Sequence, residues 1–149
     1  MKKSHLKHII KEIIKEEIDG PGIFVPHDLE GRKDKKKQLD YRKIQDYIKN
    51  GSKGNLDLEN SQITELPDNL KVGGYLYLEN TQITELPDNL TVGGYIELRD
   101  TPITKLPNNL TVDGVIYLDG TPLSKKYSKE EIKDIIERQG GNVGEGIFV

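Results

Sequence analysis

Cysteine is absent from the 149 residues. That excludes disulfides, a thiolate nucleophile and cysteine-ligated zinc or iron–sulfur centres. A chain without thiols suits a reducing compartment, so the cytoplasm is the expected location. Long apolar runs are missing too. The opening stretch MKKSHLKHIIKEIIKEEIDG interrupts every apolar pair with lysine or glutamate, a pattern of neither a signal peptide nor a membrane span. Nucleophile motifs are lacking as well, since neither Ser124 nor Ser128 sits in one. The three histidines, His5, His8 and His27, bring too few converging ligands for a metal site. The expectation is a non-enzymatic protein with no cofactor, no metal and no membrane segment.

Charge is present but unevenly spread. The net charge is −3, yet residues 1–53 hold 14 Lys or Arg against 9 Asp or Glu, and residues 54–149 hold 8 against 16. The basic half opens with an amphipathic helix over 1–20, in which Leu6, Ile9, Ile10, Ile13, Ile14 and Ile18 keep helical spacing. Asp19-Gly20-Pro21 stops it. Residues 21–39 read as a basic linker, with Arg32, Lys33, Lys35, Lys36 and Lys37 clustered. Tyr41, Ile44, Tyr47 and Ile48 then mark a second amphipathic helix within 40–53, ended by Asn50-Gly51.

From residue 54 the chain repeats every twenty residues. QITELPDNL occurs at 62–70 and again at 82–90, and a looser copy, PITKLPNNL, at 102–110. In register, pairs of aliphatics one residue apart recur at Leu56/Leu58, Leu76/Leu78, Ile96/Leu98 and Ile116/Leu118. Such alternation marks short strands with one face buried. Ile63, Ile83, Ile103 and Leu123 follow, then Leu-Pro at Leu66, Leu86 and Leu106, then Leu70, Leu90 and Leu110. One unit buries too little apolar surface to order itself, so the units must stack. After the fourth, SKEEIKDIIERQGG carries a capping box at Ser128 and Glu131 and an isoleucine stripe. The closing NVGEGIFV aligns with TVGGYIEL, which puts Ile147 in the column of Ile96 and predicts a last strand. Residues 125–149 are thus expected to be a terminal helix and strand.

Over 54–124 the pattern resembles the short, twenty-residue bacterial leucine-rich repeat built around Leu-Pro. Leu86-Pro87, Ile96-x-Leu98 and Ile103-Thr104 fall in its register. The resemblance implies an α/β solenoid with one parallel sheet of four or five short strands, helically capped at both ends. Two departures stand out. Ser61, Thr81, Thr101 and Thr121 replace the family's turn asparagine, and a hydroxyl there can bond the backbone in its place. Gly73-Gly74 and Gly93-Gly94 sit where leucine is usual, so the convex side should be thin and turned by glycine. Without cysteine, the ubiquitin-ligase domain that bacterial effectors append to such repeats is excluded.

If the aliphatic pairs point inward, the intervening residues form an outward face with Asp57, Glu59, Tyr75, Tyr77, Glu79, Tyr95, Glu97, Arg99, Asp100, Tyr117 and Asp119. Tyrosines offer rigid contact area and carboxylates select a basic partner, so the face is read as a protein-binding surface. The plainer reading is a solvated sheet on which tyrosine is merely a good strand former. Two further readings are self-association through Leu6, Ile9, Ile10, Ile13 and Ile14, and an acidic decoy for a nucleic-acid-binding protein. Direct nucleic-acid binding by the 32–37 cluster is disfavoured by the acidic remainder and by the absence of interleaved aromatics. That cluster is expected to stay solvated or to dock on the acidic face.

Overall fold

The computed structural model describes residues 35–149. The self-association stripe Leu6, Ile9, Ile10, Ile13 and Ile14, and Arg32 and Lys33 of the basic cluster, lie outside the described residues. The chain runs through helix α1 (Lys35–Lys49), then β1 (Leu56–Asp57), β2 (Lys71–Val72), β3 (Leu76–Tyr77), β4 (Thr91–Val92), β5 (Ile96–Glu97), β6 (Thr111–Val112) and β7 (Val115–Tyr117). Two helices, α2 (Pro122–Lys126) and α3 (Lys129–Arg138), precede β8 (Asn142–Val143) and β9 (Gly146–Phe148). Helix α1 already includes Lys35, Lys36 and Lys37, residues expected to belong to the linker.

The fold is α/β, with all strands parallel, but it has two sheets where one was expected. The first has five strands in the order β1-β3-β5-β7-β9, the second four in the order β2-β4-β6-β8. Register advances by twenty residues in both: Leu56 pairs with Leu76, Leu76 with Ile96 and Ile96 with Ile116, while Val72 pairs with Val92 and Val92 with Val112. The last step jumps across the terminal helices, pairing Ile116 with Ile147 and Val112 with Val143. The second sheet exists because the valine two residues before Gly74, Gly94 and Gly114 is drawn into the core (Val72, Val92 and Val112 are all buried), and its backbone then meets the next unit at hydrogen-bonding distance. The signal for it is present in the sequence: Leu70/Val72, Leu90/Val92 and Leu110/Val112 are buried aliphatic pairs one residue apart, like those of the first sheet.

Between the sheets lie the columns Leu56/Leu76/Ile96/Ile116, Leu58/Leu78/Leu98/Leu118, Ile63/Ile83/Ile103/Leu123 and Leu70/Leu90/Leu110, all buried. Each such side chain contributes about 1.5–3 kcal/mol of apolar transfer. Helix α1 closes one end with Tyr41 and Ile44, and α3 closes the other with Ile132 and Ile136. Tyr47 ties α1 to the first unit: its hydroxyl donates to the Gly54 carbonyl at 2.7 Å and accepts from the Gly73 amide at 3.1 Å. At α3 the capping box is complete, with the Ser128 hydroxyl accepting from the Glu131 amide and the Glu131 carboxylate from the Ser128 amide.

Polar ladders fix the turns. Thr81, Thr101 and Thr121 each donate their hydroxyl to the carbonyl three residues back, at 2.7–2.8 Å. Farther round, Asn69, Asn89 and Asn109 hold left-handed backbone at φ 60°, 60° and 54°. Their amides bond one another, Asn89 to Asn69 at 2.8 Å and Asn109 to Asn89 at 2.9 Å. Asparagine tolerates that backbone better than most residues, and here its side chain also joins neighbouring units. The recurring glycines let units approach: a Cβ on Gly114 would lie 2.9 Å from the Gly94 carbonyl oxygen, and one on Gly94 would fall on the Tyr75 ring. Among the described residues no helix is long and apolar enough to cross a membrane.

Candidate functional site

The outward face of the five-stranded sheet gathers five aromatic rings. Tyr75 and Tyr95 stack with centroids 4.1 Å apart and planes 16° from parallel. Tyr77 meets Tyr95 edge-on at 5.6 Å, and Tyr95 meets Tyr117 edge-on at 5.7 Å. Tyr117 stacks on Phe148 at 5.4 Å. The rings thus form an unbroken stripe from β3 to β9. Register places them there, because side chains one strand apart on the same face stand about 4.8 Å from each other. The glycine before each first-column residue clears the space; Tyr75 lies across Gly94 only because Gly94 has no side chain.

Phe148 is a member of this face that the sequence reading missed. It pairs with Tyr117 in the register of β7 and β9 and is 55% exposed. The signal was available: aligning GEGIFV with GGYIEL sets Phe148 in the column of Glu97.

Two of the expected site residues sit differently from expectation. Glu97 is buried, at 5% exposure, although it lies in an outward column. Tyr77, Tyr95 and Tyr117 surround it, and Arg99 folds back over it. The Arg99 Nε and Nη2 donate to the two Glu97 carboxylate oxygens at 2.7 Å each. The same guanidinium lies 5.8 Å from the centre of the Tyr117 ring. Glu97 and Arg99 therefore neutralise each other, and neither offers a free charge. Asp100 is the second. Together with Asn60, Asn80 and Gly120 it occupies a left-handed turn at φ between 55° and 75°, so its column belongs to the turn bordering the sheet, not to the sheet face.

The remaining carboxylates rim the stripe. Asp57, Glu59 and Asp119 are exposed and Glu79 is half-exposed. Asp57 accepts from the Glu59 amide and Glu59 from the Asn60 side chain. Electrostatics follow from this geometry. Hydrogen bonding to Glu97, then its charge, push the Arg99 guanidinium above its ordinary range, with Glu79 and Asp119 acting in the same direction and desolvation opposing. Tyr77 and Tyr95 share a hydroxyl–hydroxyl hydrogen bond of 2.7 Å. That bond first, then desolvation and nearby negative charge, pushes the Tyr95 phenol up to about 12.

Lys36 and Lys37 of α1 lie beside the turn that borders this face. The Lys36 ammonium donates to the Asn60 carbonyl at 3.2 Å. Lys36 and Lys37 line a shallow polar groove with Asn60, Ser61, Gln62, Asn80 and Gln82. Among the described residues, no group of three or more His, Cys, Asp or Glu side chains is placed to hold a metal ion. No family model, curated protein or solved structure matches the chain.

Proposed function

We propose that the chain is a short, capped solenoid of the leucine-rich-repeat type that acts as a non-catalytic protein-binding module in the cytoplasm, taking a basic partner on the aromatic sheet face. The observation that carries this reading is the unbroken five-ring stripe with carboxylates along its border. Aromatic rings dominate binding energy where they can be fully desolvated. Rim carboxylates steer a positively charged partner and reject an acidic one. Arg99, the single cation among the expected face residues, is already engaged by Glu97, so the unmatched charge of the rim is negative.

The test is a pull-down with the wild type beside a Tyr77→Ser, Tyr117→Ser, Asp119→Lys variant whose circular dichroism and melting match the wild type. A protein retained by the wild type and lost by the variant supports the reading. Equal recovery by both would remove the face from consideration.

A further inference from the structure

One outward column of the five-stranded sheet reads Asp57, Tyr77, Glu97, Tyr117, Phe148, each paired in register with the next. A carboxylate therefore stands beside a tyrosine on the following strand twice, at Asp57 and Tyr77 and again at Glu97 and Tyr117. The two carboxylates are also held alike. Asp57 Oδ1 accepts from the amide two residues on, that of Glu59, at 3.1 Å. Glu97 Oε1 accepts from the amide two residues on, that of Arg99, at 3.3 Å.

What differs is the side chain on that second residue. At Glu97 it is a guanidinium, which bonds both carboxylate oxygens and lies 5.8 Å from the centre of the Tyr117 ring. At Asp57 it is a carboxylate, Glu59, and Glu79 one unit on is another. Among the described residues no lysine or arginine forms an ion pair with Asp57, Glu59 or Glu79. Access differs as well. Glu97 is closed in by rings on both neighbouring strands, whereas Asp57 is on the first strand, has a ring on one side only and is exposed. Tyr77 meets Tyr75 and Tyr95 edge-on and bonds the Tyr95 hydroxyl. Those contacts lie on its β3 and β5 side, and among the described residues no ring covers the side that faces β1.

This arrangement selects one kind of cation. A planar guanidinium can fork a carboxylate and lie against a ring at once, and an ammonium cannot. Three carboxylates without a cation of their own add attraction for a positive side chain. Resting on the binding role proposed above, we infer that Asp57 and Tyr77 form a seat for an arginine of the partner, equivalent to the place that Arg99 fills at Glu97 and Tyr117. Asp57 takes the fork, the β1 side of Tyr77 flanks its plane, and Glu59 and Glu79 border it.

NMR titration of the full chain with the blocked pentapeptide Gly-Gly-Arg-Gly-Gly, and with its lysine counterpart, tests this. The arginine peptide should shift the Glu59 amide, which reports on Asp57, and bind at least about five-fold more tightly than the lysine peptide. Asp57→Asn keeps an acceptor for that amide but removes the charged fork, and should lose the preference. Glu59→Arg should also lose peptide binding, because its own guanidinium would occupy the seat, whereas Glu59→Gln, without that guanidinium, should keep the preference. Equal affinity for the two peptides, an undisturbed Glu59 amide, unchanged binding by Asp57→Asn or Glu59→Arg, or loss of the preference in Glu59→Gln would each overturn the inference. The two readings fail separately. If Asp57→Asn still retains a partner that the pull-down variant loses, the arginine seat falls and the binding role stands. If the pull-down variant recovers the same partner as the wild type, the binding role itself falls.

Discussion

Glu97 and Arg99 illustrate how one residue pair can look functional in sequence and prove structural in place. In the alternating pattern Glu97 occupies an outward column beside Tyr77 and Tyr117, and nothing local distinguishes it from an exposed carboxylate. Its burial comes from neighbours twenty residues away on either side, whose rings close over it. Removing Arg99 would leave the buried carboxylate without its fork. Arg99→Ala should therefore lower the urea midpoint more than Glu97→Gln, which leaves no stranded charge. The reverse order would mean that solvent reaches Glu97. Tyr95 makes a second expectation at this scale. Its phenol is raised from 10.0 to about 12 by the bond to Tyr77, so the folded state holds that proton more tightly than the unfolded chain. The associated stability is complete below pH 10 and is lost as pH rises through about 12. Absorbance titration at alkaline pH should show a late-ionising phenol that returns toward 10 in Tyr77→Phe. Superimposable curves would rule out the bond in solution.

At the scale of elements, the inward aliphatic columns, the capping box and the closing strand were all readable, because each is a pattern of residue types at fixed spacing. The second sheet went unread although Leu70/Val72, Leu90/Val92 and Leu110/Val112 carry the same alternation, because the glycines that follow each valine suggested a turn in place of a strand. The asparagine ladder also escaped. Asn69, Asn89 and Asn109 do recur at a fixed step, but only their left-handed backbone shows why asparagine is needed. Asn89→Ala loses both ladder bonds and strains the turn, and should cost about 1–2 kcal/mol. Asn89→Gly, which relieves the strain, should cost less. Urea unfolding of both variants checks this, and identical midpoints for the two would deny any role to the backbone conformation. Helix α3 should lose about 1 kcal/mol in Ser128→Ala, through its cap. Hydrogen exchange should then report faster opening of 129–138 and of β8 and β9, which reach the stack through that helix.

For the whole molecule the governing fact is that the units share one core. Leu78 is completely buried between its neighbours, and truncation to alanine should cost about 3 kcal/mol. Leu78→Asp places a charge where no partner exists and should unfold the entire stack, not one unit. Circular dichroism that kept most of its signal in Leu78→Asp would show that the units fold independently. The fold class and the run of the first sheet were legible in the sequence because stacking repeats the same requirement at every step. The site was legible only in part, because a surface is assembled from whatever varies between units, and variation carries no period to read.

The identity of 62–70 with 82–90, together with a register that never departs from twenty residues before the terminal helix, makes length an adjustable property of this molecule. The upper side of one interior unit matches the lower side of the next, so a duplicated unit would find compatible surfaces above and below. A chain lengthened by one copy of residues 71–90 should gain a strand in each sheet, another rung of the asparagine ladder and a higher melting temperature. It would also carry one more tyrosine pair on its outward face. On the binding role proposed above, each copy would lengthen the contact surface by about one strand width, 4.8 Å.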